Sequence, residues 1–296
     1  LEEARCAVPH RRELPVPPLP EADCTAEAPR LTISVTRLEQ LSPALLELGC
    51  PARVYIPLEE VSRLESLPGE GPEWCAVLPR VWRDRDEPAL RTLLERARAL
   101  GFTGVLIGNL GHLPLVRGLN FHLYGDYGLN VFNSRSLAYL KDKELESACV
   151  SFELRFAQIR DLKKVLRAEA IVYGRLPLMI TENCLVQNET GCRLDRQGPC
   201  VPEDGPCRCG QPNVLVDRTG AAFPLLPAYG HRTEIQNSKP LYLADRPEHR
   251  RLGLAYARLR FTTETAEECV SVVQNYLDAA PAAGDFTRGL YERGVE

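Results

Sequence analysis

The chain has 296 residues, 44% of them hydrophobic and 26% charged, with a formal net charge of −4. These values suit a globular protein of one large or two smaller domains, and the negative balance argues against a general nucleic-acid coat while leaving room for a local basic groove. No apolar run approaches the ~18 residues that span a bilayer, and the N-terminal stretch lacks the apolar segment of a secretion signal, so a cytoplasmic location with no membrane partner is expected.

Met179 is the only methionine, so the sequence is read as a piece of something longer. Residues 1–30 are rich in proline and charge without periodicity, as expected of a linker or extended arm tied to an upstream domain of the same protein. From Leu31 the pattern changes, and residues 31–296 are expected to form the folded domain. Short apolar or β-branched runs follow one another: LTISV, ARVYIP, EWCAVLP, TGVLIG, LNFHLYG, ACVSFE and EAIVYG. Runs this apolar suit strands buried on both faces of a parallel sheet.

Helical signals lie between them. Leu38, Leu41, Leu45 and Leu48 make one apolar stripe closed by Gly49, and Glu87-Pro88 opens a second helix with Leu90, Leu93, Leu94 and Ala97 on one face. Phe156, Ile159, Leu162, Val165 and Leu166 predict a third helix. Thr265 and Glu268 form a capping box for a last one, with Cys269, Val273, Tyr276 and Leu277 as its buried stripe. With an eighth strand over Arg232–Leu243, the pattern predicts an α/β fold of the TIM-barrel, (β/α)8 type. An open doubly wound sheet is the competitor, but no glycine-rich dinucleotide turn follows any strand.

Polar residues directly after the strands would gather on the ligand-binding face of such a barrel. Asn109 and His112 follow the fourth strand, and Asp126, Asn130 and Asn133 the fifth. Glu153 follows the sixth and Arg175 the seventh. As a set, Asp126, Asn130, Glu153, Arg175 and His112 are the candidate catalytic residues, although Asn and Asp in loops also serve simply as caps. His122 reads as a core histidine within a strand, and His249 as a solvated one.

Five cysteines, Cys184, Cys192, Cys200, Cys207 and Cys209, crowd into a loop-like segment rich in Gly, Pro, Asn and Asp. It is placed as an insertion at about 180–215 between strands seven and eight. Such a composition cannot hold itself in shape by apolar burial, so a metal or disulfides are expected to order it. With no secretion signal, metal is the favoured reading. The scattered Cys6, Cys24, Cys50, Cys75, Cys149 and Cys269 read as small buried hydrophobes or incidental thiols.

At LYGDYGLNVFNSRSLAYL, SFELRFAQIRDL, VYGRLPLMITENC, LVDRTGAAFPL and IQNSKPLYLADR, the sequence resembles the collagenase-like peptidases of the U32 family, and more closely the C-terminal module of long bacterial members. The resemblance runs from about Leu31 to Tyr276. It implies a TIM-barrel-like domain and a historical label of peptidase. Relatives are implicated in oxygen-independent hydroxylation of RNA bases or of the ubiquinone ring; some carry a four-iron cluster on four cysteines, and prephenate is thought to serve as the oxygen donor. Carried over by position, Cys184 and Cys192 match the first two cluster cysteines, and Cys209 or Cys207 the third. Where relatives have Cys-Arg ahead of an Asn-Ser pair, this chain has His231-Arg232, and Leu241-Tyr242-Leu243 occupies the stretch of another cluster cysteine. An iron–sulfur (4Fe-4S) cluster held entirely by cysteine would therefore recruit Cys200 or use both Cys207 and Cys209, whereas Cys184, Cys192, Cys209 and His231 would make a Cys3His zinc site; the candidate ligands are Cys184, Cys192, Cys207, Cys209 and His231.

Three functions follow as expectations. The first is oxygen-independent hydroxylation of RNA or a related substrate, with a small oxygen donor. The second is a peptidase, although HExxH, GxSxG and a recognisable Cys/His pair are absent from the sequence; Glu182 or Glu189 would have to assist a catalytic zinc. The third is a non-catalytic module that docks on an upstream barrel. The segments Arg155–Arg167 and Arg246–Arg251 are the basic stretches available to RNA.

Overall fold

The computed structural model describes residue 6, residues 15–190, residue 208 and residues 211–294. The seven apolar runs each become a parallel strand: β1 (Arg30–Ser34), β2 (Arg53–Pro57), β3 (Glu73–Val77), β4 (Gly104–Ile107), β5 (His122–Gly125), β6 (Ser147–Cys149) and β7 (Arg167–Gly174). After β7 come β8 (Pro177–Thr181), β9 (Asn213–Val216), β10 (Ala222–Ala228) and β11 (Arg232–Gln236), then the short β12 (Leu241–Tyr242) and finally β13 (Tyr256–Arg260). Strands β1 to β7 pair in order, and β13 joins β7 to β1, closing an eight-stranded parallel barrel. Strands β8, β11, β10 and β9 form a separate antiparallel sheet inserted before the last barrel strand.

The eighth barrel strand is therefore Tyr256–Arg260, not Arg232–Leu243. Its sequence YARLR alternates large polar and apolar residues, which reads as a half-exposed strand, yet all five residues are buried. Tyr256, Arg258 and Arg260 alternate along it; the Tyr256 ring lies against Arg53, and the two arginines pair with buried carboxylates. The expected strand at Arg232 is real, but as β11 it belongs to the inserted sheet.

Helices cover the outside. The leucine stripe breaks at Ser42, which caps α1 (Pro43–Gly49) by accepting from the Leu45 N–H at 3.2 Å. Helix α2 (Glu87–Ala99) follows the expected pattern, with Leu90, Leu94 and Ala97 buried. Then come α3 (His112–Val116), α4 (Ser134–Asp142), α5 (Phe156–Asp161), α6 (Leu185–Thr190) and α7 (Ala266–Asp278). Helix α5 stops at Asp161, so Val165 and Leu166 lie in the bend that leads into β7, as buried core residues rather than as the continuation of a stripe. The Thr265–Glu268 capping box forms as expected, but Leu277 is exposed, and Val272 fills its place in the buried face.

The barrel interior is polar in tiers. At the N-terminal end Arg53 donates to Glu73 at 3.0 Å and to Ser147 at 2.9 Å. Its guanidinium lies 3.6 Å from the ring centre of Tyr124 and 4.0 Å from that of Tyr256. In the middle tier Glu169 accepts from Thr32 Oγ1 at 2.5 Å and from both Tyr55 and Arg258. No helix among the described residues is long and apolar enough to cross a membrane.

Candidate functional site at the barrel mouth

Among the described residues, two of the cavities at the C-terminal ends of the strands flank the barrel mouth. The smaller, about 130 Å³, lies directly over the barrel axis, between Arg80, Asp126, Arg258, Arg260 and Glu234. Arg258 is fully buried and donates to Asp126 Oδ1 at 2.5 Å and to Glu169 below it. Glu234 comes from β11 of the inserted sheet and pairs with Arg80 at 2.5 Å and with Arg260 at 3.1 Å. Gln236 of the same strand accepts from Arg260 at 2.8 Å. The insertion thus seals the barrel with a carboxylate placed between two guanidiniums. Burial of these charges is tolerable because each has an opposite partner and further hydrogen bonds.

The larger cavity, about 710 Å³, lies between the loops after β1 and β2 and the inserted sheet. Buried Cys184 and half-buried His231 both line it. Cys184 stands just before α6, and His231 sits in the tight turn joining β10 to β11 with φ +59°, after Gly230 with φ +70°. Arg232 is anchored beside it by the Tyr229 carbonyl at 3.0 Å and by Glu182 at 3.0 Å, and Glu182 also receives Arg83. Arg232 and Arg83 together hold the Glu182 carboxyl below the usual carboxylate range. A thiol and an imidazole lining one cavity are donor types that fit zinc or an iron–sulfur centre. Cys192, Cys200, Cys207 and Cys209 lie outside the described residues. Among the described residues, no group of three His, Cys, Asp or Glu is arranged to hold an ion.

Peptidase family U32, by its family profile, matches residues 67–212. Over that stretch the chain belongs to this family. The matched stretch starts just ahead of β3 and takes in five barrel strands, Cys184 and the remaining clustered cysteines. Among solved structures, the U32 peptidase Mk0906 is similar over 80% of this chain and 95% of its own, at 9% identity and a TM-score of 0.43. A mutant tryptophan synthase α-subunit from the hyperthermophile Pyrococcus furiosus is similar over 50% of this chain and 78% of its own, at 11% identity and a TM-score of 0.35. No curated protein matches the sequence.

Of the residues singled out from sequence, Asp126 stands at the mouth of this U32 barrel, inside the ion-pair network. Arg175 contributes its carbonyl, which accepts from Arg260 at 2.6 Å, while its guanidinium turns to the Asn237 and Ser238 carbonyls. Asn130 is exposed, in the left-handed conformation that ends a short turn after β5. Glu153 is half-buried in the loop after β6. Asn133 caps α4 by accepting from the Arg135 and Ser136 N–H groups. His112 is fully buried rather than at the rim: Nδ1 accepts from the Gly108 N–H at 3.2 Å, and Nε2 lies 3.1 Å from the Pro79 carbonyl. Burial pushes its pKa down to about 4, so near neutral pH it is an uncharged strut between the loops after β3 and β4. The other two histidines exchange their expected places. His122 is exposed beside Glu146, which holds its pKa up; His249 is buried against the Arg246 carbonyl.

The groups that sequence reasoning passed over are Glu59, Arg80, Glu169, Glu234, Arg258 and Arg260. Two signals could have found four of them. Glu59 and Arg80 come just after strands, and Glu169 and Arg258 are charged residues inside strands buried on both faces. The barrel thiols Cys75 and Cys149 are fully buried, and desolvation raises both well above the usual thiol range. They are poor nucleophiles, since the thiolate is the reactive form.

Proposed function

We propose that this chain is a metal-containing module of a U32 protein, acting in oxygen-independent hydroxylation of RNA or a related substrate. The carrying observation is that Cys184 and His231, distant in sequence, line one cavity beside the barrel mouth. The remaining clustered cysteines lie in sequence between α6 and β9, and both elements belong to the insertion that walls this cavity. Its volume of about 710 Å³ suits a small organic ligand or a single nucleotide. A bound iron–sulfur cluster would supply electron transfer there. Cys184 and His231 would contribute ligands, and Arg232 with Glu182 would steady the turn that carries His231.

A peptidase reading is less well supported. The mouth carboxylates Asp126 and Glu234 are committed to arginines, and the barrel thiols are held protonated. A docking role gains support from one feature: Glu234 closes the barrel axis and leaves only about 130 Å³ above it, too little for a peptide or nucleotide.

Elemental analysis of the full-length protein prepared without oxygen tests the proposal. Stoichiometric iron with sulfide is expected, lost in Cys184→Ser and diminished in His231→Ala, together with hydroxylated nucleosides detected by mass spectrometry of the RNA. Full metal retention in Cys184→Ser would remove this cavity from consideration. Zinc without iron, together with association between the module and the upstream portion, would favour the docking role.

A further inference from the structure

Glu59 follows β2 in the first turn of a short 3-10 helix and stands between the two cavities, lining both. Its surroundings are rich in arginine, yet none of the ion pairs among the described residues includes it. Arg63, on the same turn, pairs with Glu60 at 2.6 Å and with Glu39. Toward the mouth, Arg80 and Arg260 are committed to Glu234, and Arg258 to Asp126 and Glu169. Toward the larger cavity stand Arg37, Glu60, Tyr229, His231 and Arg232, of which Arg232 is committed to Glu182. The half-buried carboxyl is therefore left without a dedicated counter-charge among the described residues, while one side of it opens on space large enough for a ligand.

We propose that Glu59 is the proton-transfer residue of this module, donating its carboxyl proton to a substrate oxygen in the larger cavity. In that step the carboxyl O–H bond breaks, an O–H bond forms on the substrate, and the carboxylate left behind regains a proton from water entering the open cavity. The inference rests on the reading of that cavity as the substrate site. Desolvation raises the Glu59 pKa to about 7, with Glu60 adding to the shift. It is thus largely protonated below that pH and ionised above it, the poise that lets one carboxyl give and take a proton near neutrality. Ordinary carboxyls, ionised above about pH 5, could not donate there.

Dicyclohexylcarbodiimide, which reacts with protonated carboxyls, provides the first test on the full chain, with peptide mass spectrometry as the readout. Glu59 should be labelled at pH 6 and lose at least tenfold of that labelling by pH 8.5, while Glu60, paired with Arg63, stays unlabelled throughout. Labelling of Glu59 no stronger than that of Glu60, or independent of pH, would overturn the proposal without touching the metal reading. In metal-loaded protein, Glu59→Gln should lower turnover about 10²-fold or more at unchanged metal content, and Glu59→Asp should recover part of it. Undiminished turnover in Glu59→Gln would also overturn it. Loss of metal or activity on Cys184→Ser reports separately on the site itself.

Discussion

Replacing Arg258 with methionine should destabilise the protein by about 3–5 kcal/mol, read as a fall in the urea midpoint or as failure to accumulate folded protein. Arg258 is 1% exposed and is the cation between Asp126 and Glu169, the latter also 1% exposed. Its removal takes the cation from Glu169, for which the remaining donors among the described residues are Thr32 and Tyr55. Stranding a buried charge costs more than the intact pair contributes, because the desolvation is no longer offset. The same argument predicts recovery on removing the stranded charge as well. Arg258→Met combined with Glu169→Gln should regain more than about 1 kcal/mol over the single variant, a coupling of the size that contacting residues show. A single variant as stable as wild type would mean that water or protonation already relieves Glu169, and that the interior is less enclosed than its burial indicates.

Gly174→Ala should be nearly as damaging, by at least about 3 kcal/mol from strain and overpacking together. Gly174 ends β7 with φ +117°, a region that residues with a side chain avoid, and a Cβ there would overlap the Arg260 carbonyl oxygen. That backbone is the junction where β7 meets both β12 and β13. Relief would have to move the strand that carries Arg258 and Arg260. The expected result is a lower thermal midpoint together with disturbance of the mouth, seen as faster amide exchange in β13. Gly118→Ala makes the control: its φ is +81°, but nothing lies within 4 Å of a Cβ, so it isolates backbone strain from collision.

Most of the barrel was legible because a strand buried on both faces leaves a run of apolar residues, and seven such runs occur in order. The eighth was hidden by the feature that makes this barrel unusual. Where Tyr256, Arg258 and Arg260 fill the interior, the strand copies the alternation of a half-exposed one, and only the partners Arg53, Glu169, Asp126 and Glu234, spread over four other segments, explain its burial. The site was legible in part for the same reason. Asp126 stood out as an acid directly after a strand, whereas Glu59 and Arg80 held equivalent positions inside charged stretches that look like solvated surface. His112 misled because a histidine after a strand resembles a rim residue until the Gly108 and Pro79 backbone groups turn up on its two nitrogens. That His231 lines the same cavity as Cys184 depends on the hairpin joining β10 to β11, a tertiary arrangement that spacing alone does not encode.

The way the ring closes also bears on biogenesis. Arg30 of β1 is matched with Tyr256 of β13, so the opening strand stays uncovered on one flank until translation has passed the closing one. Because bringing such distant segments together is slow, a nascent chain stalled before Tyr256 would present a raw hydrogen-bonding edge to chaperones. Release of that chaperone hold should coincide with emergence of the final strand from the ribosome.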